Sequence, residues 1–167
     1  MANIILRGNK NHTSSDLPPV GKKASDFSLT ASDLSTKTLK DFRGSRLILN
    51  VFPSIDTNTC AQSVRTFNEK ATQLDNTKVL CISRDLPFAQ NRFCANEGIE
   101  NVVALSDYKT GDFGKTYGLN IVDGPFEALH SRCIIVIDEN GTILHTEQVE
   151  VISDEPDYDK AISALDQ

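Results

Sequence analysis

No stretch of this 167-residue chain stays apolar for long enough to cross a bilayer. Nor does the start resemble a secretory leader, since the apolar run at 4–6 is short and Arg7 interrupts it. The protein is therefore expected to be made and kept in the cytoplasm, with no membrane partner. Positive charge is in deficit, 17 Lys and Arg against 23 Asp and Glu, for a formal net charge of −6. That balance argues against nucleic acid or an anionic lipid surface held by general electrostatics. The four cysteines, Cys60, Cys81, Cys94 and Cys133, include no C-x-x-C pair. His12, His130 and His145 lack the H-x(3–5)-H spacing of a structural zinc site, so no metal is expected. In a reducing compartment each cysteine starts as a thiol, to be read as core filler, ligand or redox group.

What is present is ordinary globular material, 39% hydrophobic and 24% charged. The length suits one domain over residues 1–167, large enough to bury its own core. Residues 1–16 predict a β-hairpin extension turning near Gly8 and Asn9, outside the main sheet. Beyond it, short apolar runs alternate with stretches of helical period, the pattern of an α/β fold whose central, mostly parallel mixed sheet is flanked by helices. A short edge strand is expected at 27–29. The runs at 47–52, 79–82 and 102–105 predict central strands buried on both faces. The run at 133–137, the turn at 138–141 and the run at 142–144 predict a strand and its antiparallel return.

Helices are expected between these strands. Ala61, Val64, Phe67, Ala71 and Leu74 advance by three and four, giving one buried stripe over about 60–74. A second helix is predicted from Pro87 through Cys94 to a stop at Gly98. A short one is expected over 112–117, and another after Pro156.

Cys60 departs furthest from core filler. It follows a buried strand and a turn over 53–59, then opens a helix, the junction where α/β folds place reacting groups. Unpaired N–H groups and the helix dipole favour an anion there, so a thiolate is stabilised. Thr57, Asn58 or Thr59 can cap the helix, and a threonine hydroxyl three residues upstream can also hydrogen-bond the sulfur. Pro53 stiffens the loop and limits the access of water.

The motif Pro53-x-x-x-Thr57-x-x-Cys60 is similar to the signature loop of peroxiredoxins. The words at 52–57, 63–65, 80–83, 85–90, 92–94 and 155–158 narrow the resemblance to the bacterial thiol peroxidases, atypical two-cysteine peroxiredoxins on a thioredoxin fold. The resemblance covers nearly the whole chain. It implies a thiol-dependent peroxidase that reduces hydrogen peroxide and organic hydroperoxides, with a lean toward the latter, in antioxidant defence. It makes Cys60 the peroxidatic thiol and Cys94 the resolving thiol of an intramolecular disulfide. Thr57 would orient peroxide and thiolate, Pro53 would shield them, and Arg132 aligns with an arginine just before a late strand. The partners it implies are thioredoxin as reductant and a second copy of the chain in a homodimer. No cofactor is implied, because the cysteines carry the electrons.

Physical chemistry supports these roles to different degrees. Arg132 offers a fixed fork of donors and a permanent charge, suited to a developing negative oxygen, although an arginine taken alone is more often a surface residue. Cys94 beside Phe93 reads first as packing, and gains a role because a sulfenic acid condenses with a nearby thiol. Cys81 and Cys133 sit within or at the start of buried runs and read as core. Two further readings stay open on the residues alone. Cys60-Ala61-Gln62-Ser63 is a C-x-x-S at a helix start, as in glutaredoxin-type oxidoreductases. Those enzymes set a cis-proline just before a later strand, whereas Pro125 lies several residues upstream and no proline stands beside Arg132. The other reading is a redox-sensing or scaffold module that oxidises without rapid turnover.

Overall fold

A computed structural model describes residues 1–166. It opens with the expected hairpin, β1 (Asn3–Leu6) and β2 (Asn9–His12), paired antiparallel. Arg7 and Gly8, at φ 51° and 80°, form its two-residue turn, where positive φ at both positions matches the strand twist. Ile4 and Leu6 then face inward and pack with Ile121 and Ile152, away from the main sheet.

The seven-stranded sheet runs β4-β3-β7-β6-β5-β8-β9. Its strands are β3 (Ser28–Ala31), β4 (Thr36–Thr38), β5 (Arg46–Val51), β6 (Thr77–Ser83), β7 (Val103–Ser106), β8 (Cys133–Ile137) and β9 (Ile143–Gln148). Parallel pairing is confined to β5–β6 and β6–β7, the strands joined through helices. The remaining pairs are antiparallel, so the sheet is mixed and less parallel than the strand–helix alternation implied. For β3–β4 and β8–β9 the reason is local, since a hairpin return can only be antiparallel, whereas β3–β7 and β5–β8 pair strands that are distant in sequence. The strand expected at the edge is β3, and it is covered by β4, whose Thr-Lys-Thr has no apolar alternation to announce it.

Helix α1 (Asn58–Ala71) crosses from β5 to β6, and α2 (Pro87–Glu97) from β6 to β7. Pro87 stands at the start of α2, where a missing N–H costs nothing, and Gly98 ends it at φ 64°. Helices α3 (Asp112–Thr116) and α4 (Tyr158–Ser163) are short. Asp157 caps α4 by accepting the Lys160 N–H at 3.0 Å.

Alternation along the central strands builds two cores. Leu47, Leu49, Val51, Leu80, Ile82, Cys133 and Ile135 face Phe113 and Tyr117 around α3. Ile48, Val79, Cys81, Ile134 and Val136 face Val64 and Phe67 of α1 and Ala161 near the C-terminal end. Cys60 lies in this second core, at the end of the sheet where β5 and β6 finish.

Cys81 and Cys133 are buried at 2% and 0% exposure. Burial pushes the Cys81 thiol up to about 12 and the Cys133 thiol up as well, so both stay protonated at neutral pH. Replacing Cys133 by Ser puts a hydroxyl among apolar side chains and should lower the unfolding free energy by about 1–2 kcal/mol. Urea denaturation checks this, and an unchanged midpoint would contradict the core assignment.

Candidate active site

Strand β5 delivers the chain to Phe52 and Pro53, both buried, and the backbone then turns before α1 begins. Thr57 is the cap, with extended backbone and a side-chain oxygen accepting the Cys60 N–H at 3.4 Å. The helix therefore starts at Asn58, and Cys60 sits inside its first turn rather than opening it. The Thr57 hydroxyl lies 2.6 Å from Cys60 Sγ, which it reaches as donor. On the sulfur's other side Arg132 Nη2 donates at 3.2 Å. The structure thus brings Thr57, Cys60 and Arg132 together around one sulfur atom, and Cys60 is fully buried.

Arg132 is only 2% exposed, at the residue before β8. Its Nε donates to the Ile152 carbonyl at 2.8 Å, and its own carbonyl accepts the Val149 N–H at 3.0 Å and Gln148 Nε2 at 3.0 Å. Nη1 is buried without a hydrogen-bond partner. Among the described residues no carboxylate pairs with this guanidinium. A buried cation left this way is costly, so the pocket favours whatever supplies negative charge, a thiolate or an oxygen gaining electrons.

The segment that grips Arg132 is itself held by the N-terminal hairpin. Ile5 N–H donates to the Glu150 carbonyl at 2.7 Å, and Ile152 N–H donates back to the Ile5 carbonyl at 3.0 Å. One hydrogen bond thus joins β1 to Ile152, the residue whose carbonyl orients the guanidinium, and a second holds Glu150 beside it.

Asp85 was not singled out as a site residue from the sequence, although it lies in the word at 85–90. It accepts Ser54 Oγ at 2.7 Å, the Ile55 N–H at 2.8 Å and Ser83 Oγ at 2.5 Å. Gln90 braces Ser83 in turn, donating at 3.1 Å. The carboxylate therefore pins the loop between Pro53 and Thr57 to the end of β6. The available signal was an acidic residue directly after a central strand, on the edge where the Cys60 loop emerges.

Cys94 is half-buried on α2 and packs against the core that holds Cys60, but both remain free thiols. Burial pushes the Cys94 thiol up, so it rests protonated. The two cysteine-bearing helices are joined at their surfaces. Arg65 on α1 donates to Glu97 on α2 at 2.9 and 3.1 Å, with its guanidinium 5.7 Å above the Phe93 ring. Arg92 lies 3.6 Å from Asp56 of the loop.

The Redoxin family model matches residues 19–162. The chain is 49% identical over 165 residues to a thiol peroxidase of Corynebacterium glutamicum, and equally to one of Mycobacterium bovis, covering 99% of this chain and of each relative. Among solved structures it resembles a peroxiredoxin-like protein from Aquifex aeolicus, with TM-score 0.91 and 30% identity over 96% of this chain and 94% of that one. A thiol peroxidase from Chromobacterium violaceum shares the fold, with TM-score 0.88 and 21% identity over 95% and 91% of the two chains.

Substituting Asp85 by Ala releases three donors at once. Backbone amides at 54–57 should then exchange faster with solvent deuterium, by roughly tenfold or more for a loss of about 1.5 kcal/mol locally. Hydrogen-exchange mass spectrometry reads this segment directly, and unaltered protection there would show that the loop is held by other contacts.

Proposed function

This chain belongs to the Redoxin family and is a thiol-dependent peroxidase of the peroxiredoxin type, and from that premise we propose that Cys60 is its peroxidatic thiol, resolved by Cys94. The glutaredoxin-type and non-enzymatic readings give way to full-length likeness to thiol peroxidases. The observation that supports the residue roles is the buried Cys60 sulfur, flanked by Thr57 Oγ1 and Arg132 Nη2, with Nη1 unpartnered beside them.

In the first step the Cys60 thiolate attacks the terminal oxygen of a hydroperoxide. The S–O bond forms, the O–O bond breaks, and the electron pair leaves on the other oxygen, which takes a proton to become an alcohol or water. Arg132 and the Thr57 hydroxyl donate hydrogen bonds to the peroxide oxygens, where negative charge grows. Pro53 shields the sulfur from water. In the second step the Cys94 sulfur attacks the Cys60 sulfenic acid, water leaves, and an intramolecular disulfide remains. A two-electron dithiol reductant, thioredoxin, returns both cysteines to thiols. The cysteines themselves carry the electrons, so the proposed cycle needs no cofactor.

Closing that disulfide requires Cα atoms within about 7 Å. The first turn of α1 and the part of α2 around Cys94 unwind for this, which makes the pair a two-state switch. Residues 1–167 act as one domain, with 1–16 as its hairpin extension. The enzyme works in the cytoplasm as a homodimer in antioxidant defence, on hydrogen peroxide and organic hydroperoxides. Among the described residues no helix is long and apolar enough to cross a membrane.

Cys60→Ser should abolish peroxide consumption, whereas Cys94→Ser should react once and then fail to turn over with thioredoxin. Peroxide assays and non-reducing peptide maps test this. Normal cycling of Cys94→Ser, or oxidised wild-type protein without a 60–94 link, would replace the resolving role with an external thiol. Arg132→Met should slow the first oxidation by roughly two orders of magnitude, the scale of one lost donor in such a site. Competition kinetics against a second peroxidase of known rate measures it, and a rate within about threefold of wild type would remove Arg132 from the mechanism.

A further inference from the structure

After Ile121 the chain leaves the core, runs exposed or half-buried through 122–129, and re-enters at His130. Arg132 follows two residues later, so the re-entry point determines where its backbone starts. His130 Nε2 lies 2.8 Å from Asp107 Oδ2, and these side chains are 0% and 1% exposed. The peroxidase chemistry above makes no use of this pair.

Asp107 is firmly placed. Its carboxylate also accepts the Gly114 N–H at 3.1 Å and the Phe113 N–H at 3.4 Å, at the beginning of α3. Three donors thus converge on it, and the His130 ring packs 5.7 Å from the Phe113 ring. The space is full: a Cβ at Gly114 would fall 1.8 Å from Asn120 Oδ1 and 3.0 Å from His130 Cδ2. The charged groups around the imidazole are Asp107, Arg84 and Asp85, with Arg84 donating to the Asp107 and Ala128 carbonyls at 3.3 and 3.1 Å. Burial lowers the His130 pKa from its ordinary value, although Asp107 works against this. A neutral ring that carries its proton on Nε2 satisfies the carboxylate. Protonating the ring would leave a buried N–H at Nδ1, which has no partner.

We propose that His130, gripped by Asp107, is a positioning residue that sets Arg132 against the Cys60 sulfur. The hairpin and β9 hold Arg132 from one side, through Ile152, Val149 and Gln148. On the other side residue 131 is tied by its N–H to the Leu119 carbonyl at 2.8 Å, and residue 130 by its side chain. Two residues of extended chain reach about 7 Å, so a tilt at 130 is carried to the arginine as a displacement. Misplacing a reacting group by about 1 Å costs on the order of a hundredfold in rate. Ser131 Oγ, donating to Gln148 Oε1 at 3.0 Å, joins the two sides.

The inference rests on the reading of Cys60 and Arg132 given above, and a double-mutant cycle separates the two. Stopped-flow kinetics would follow the first oxidation of Cys60 by hydrogen peroxide in His130→Leu, which keeps comparable bulk without a donor. Its rate constant should fall roughly ten- to a hundredfold, with the circular dichroism spectrum unchanged. His130→Gln, which can donate to Asp107, should recover the rate to within about threefold of wild type. In an Arg132→Met background, His130→Leu should cost less than about twofold, since the residue it acts through is gone. If the leucine variant does not fold, Asp107→Ser enters the same cycle in its place. An unchanged rate in His130→Leu while Arg132→Met is slow overturns the positioning role alone, and so does the same fold-loss in both backgrounds. An unchanged rate in Arg132→Met overturns the reading of Arg132 and this proposal together.

Discussion

A guanidinium buried beside a cysteine sulfur, with no carboxylate pairing it among the described residues, governs the organisation of this molecule. Removing an ion from water costs several kcal/mol even after the surroundings relax. Arg132 recovers part of that through the Ile152 carbonyl and the Cys60 sulfur, and leaves Nη1 without a partner. In the proposed mechanism the missing negative charge is supplied by the chemistry, first as thiolate and then as the departing oxygen. A nearby carboxylate would stabilise the resting protein better and would compete with both. The contacts fit that trade: the guanidinium donates to the Ile152 carbonyl and the Cys60 sulfur, neither of them a carboxylate, while Val149 and Gln148 hold only the backbone carbonyl of Arg132.

In the proposed resolution of Cys60 by Cys94, it is the helix ends above this edge of the sheet that unwind. The first turn of α1 is held partly through one buried serine. Ser63 Oγ donates to the Cys60 carbonyl at 2.8 Å and accepts from Asn50 Nδ2 at 3.1 Å. The ties from α2 to α1 and its preceding loop, Arg65–Glu97 and Arg92–Asp56, are exposed, and solvent screening leaves such pairs little weight in holding the segments together. By contrast the strands beneath carry continuous apolar rows buried on both faces. Stability is thus unevenly distributed, with a rigid sheet and a weakly fastened rim, which suits a reaction that unwinds helix ends without melting the core.

Much of the architecture was legible because its signals are periodic. The runs at 47–52, 79–82 and 133–137 became β5, β6 and β8, and Pro87 and Gly98 bracketed α2 as their backbone restrictions require. Strand β4 was not legible: a three-residue Thr-Lys-Thr edge carries no hydrophobic alternation, and only its pairing with β3 makes it a strand. Around the site, Thr57 and Cys60 were readable as a pair because a cap and the helix it caps are close in sequence. Arg132 came from resemblance alone, since an arginine says nothing of whether it is buried. Asp85 offered only the weak signal of its place just beyond a central strand, and the Ile152 carbonyl offered none. The first acts across about thirty residues of intervening chain, and the second through a backbone atom that every residue possesses.

That last contact bears on what the hairpin is for. The family model matches 19–162, so β1 and β2 lie outside the part of the chain that carries the shared pattern. Yet Ile5 makes a hydrogen bond on either side of the stretch 150–152, and Ile152 is the residue whose carbonyl orients Arg132. His12 fixes the other strand to the loop that returns through His130, with its N–H 2.8 Å and its Nδ1 2.6 Å from the Asp123 carboxylate. The extension therefore braces both segments that approach the arginine, one at each strand. A two-stranded hairpin has little stability of its own, and this one gains its order by burying Ile4 and Leu6 against Ile121 and Ile152. The benefit runs in both directions: the site segments fold the hairpin, and the hairpin limits where those segments can move.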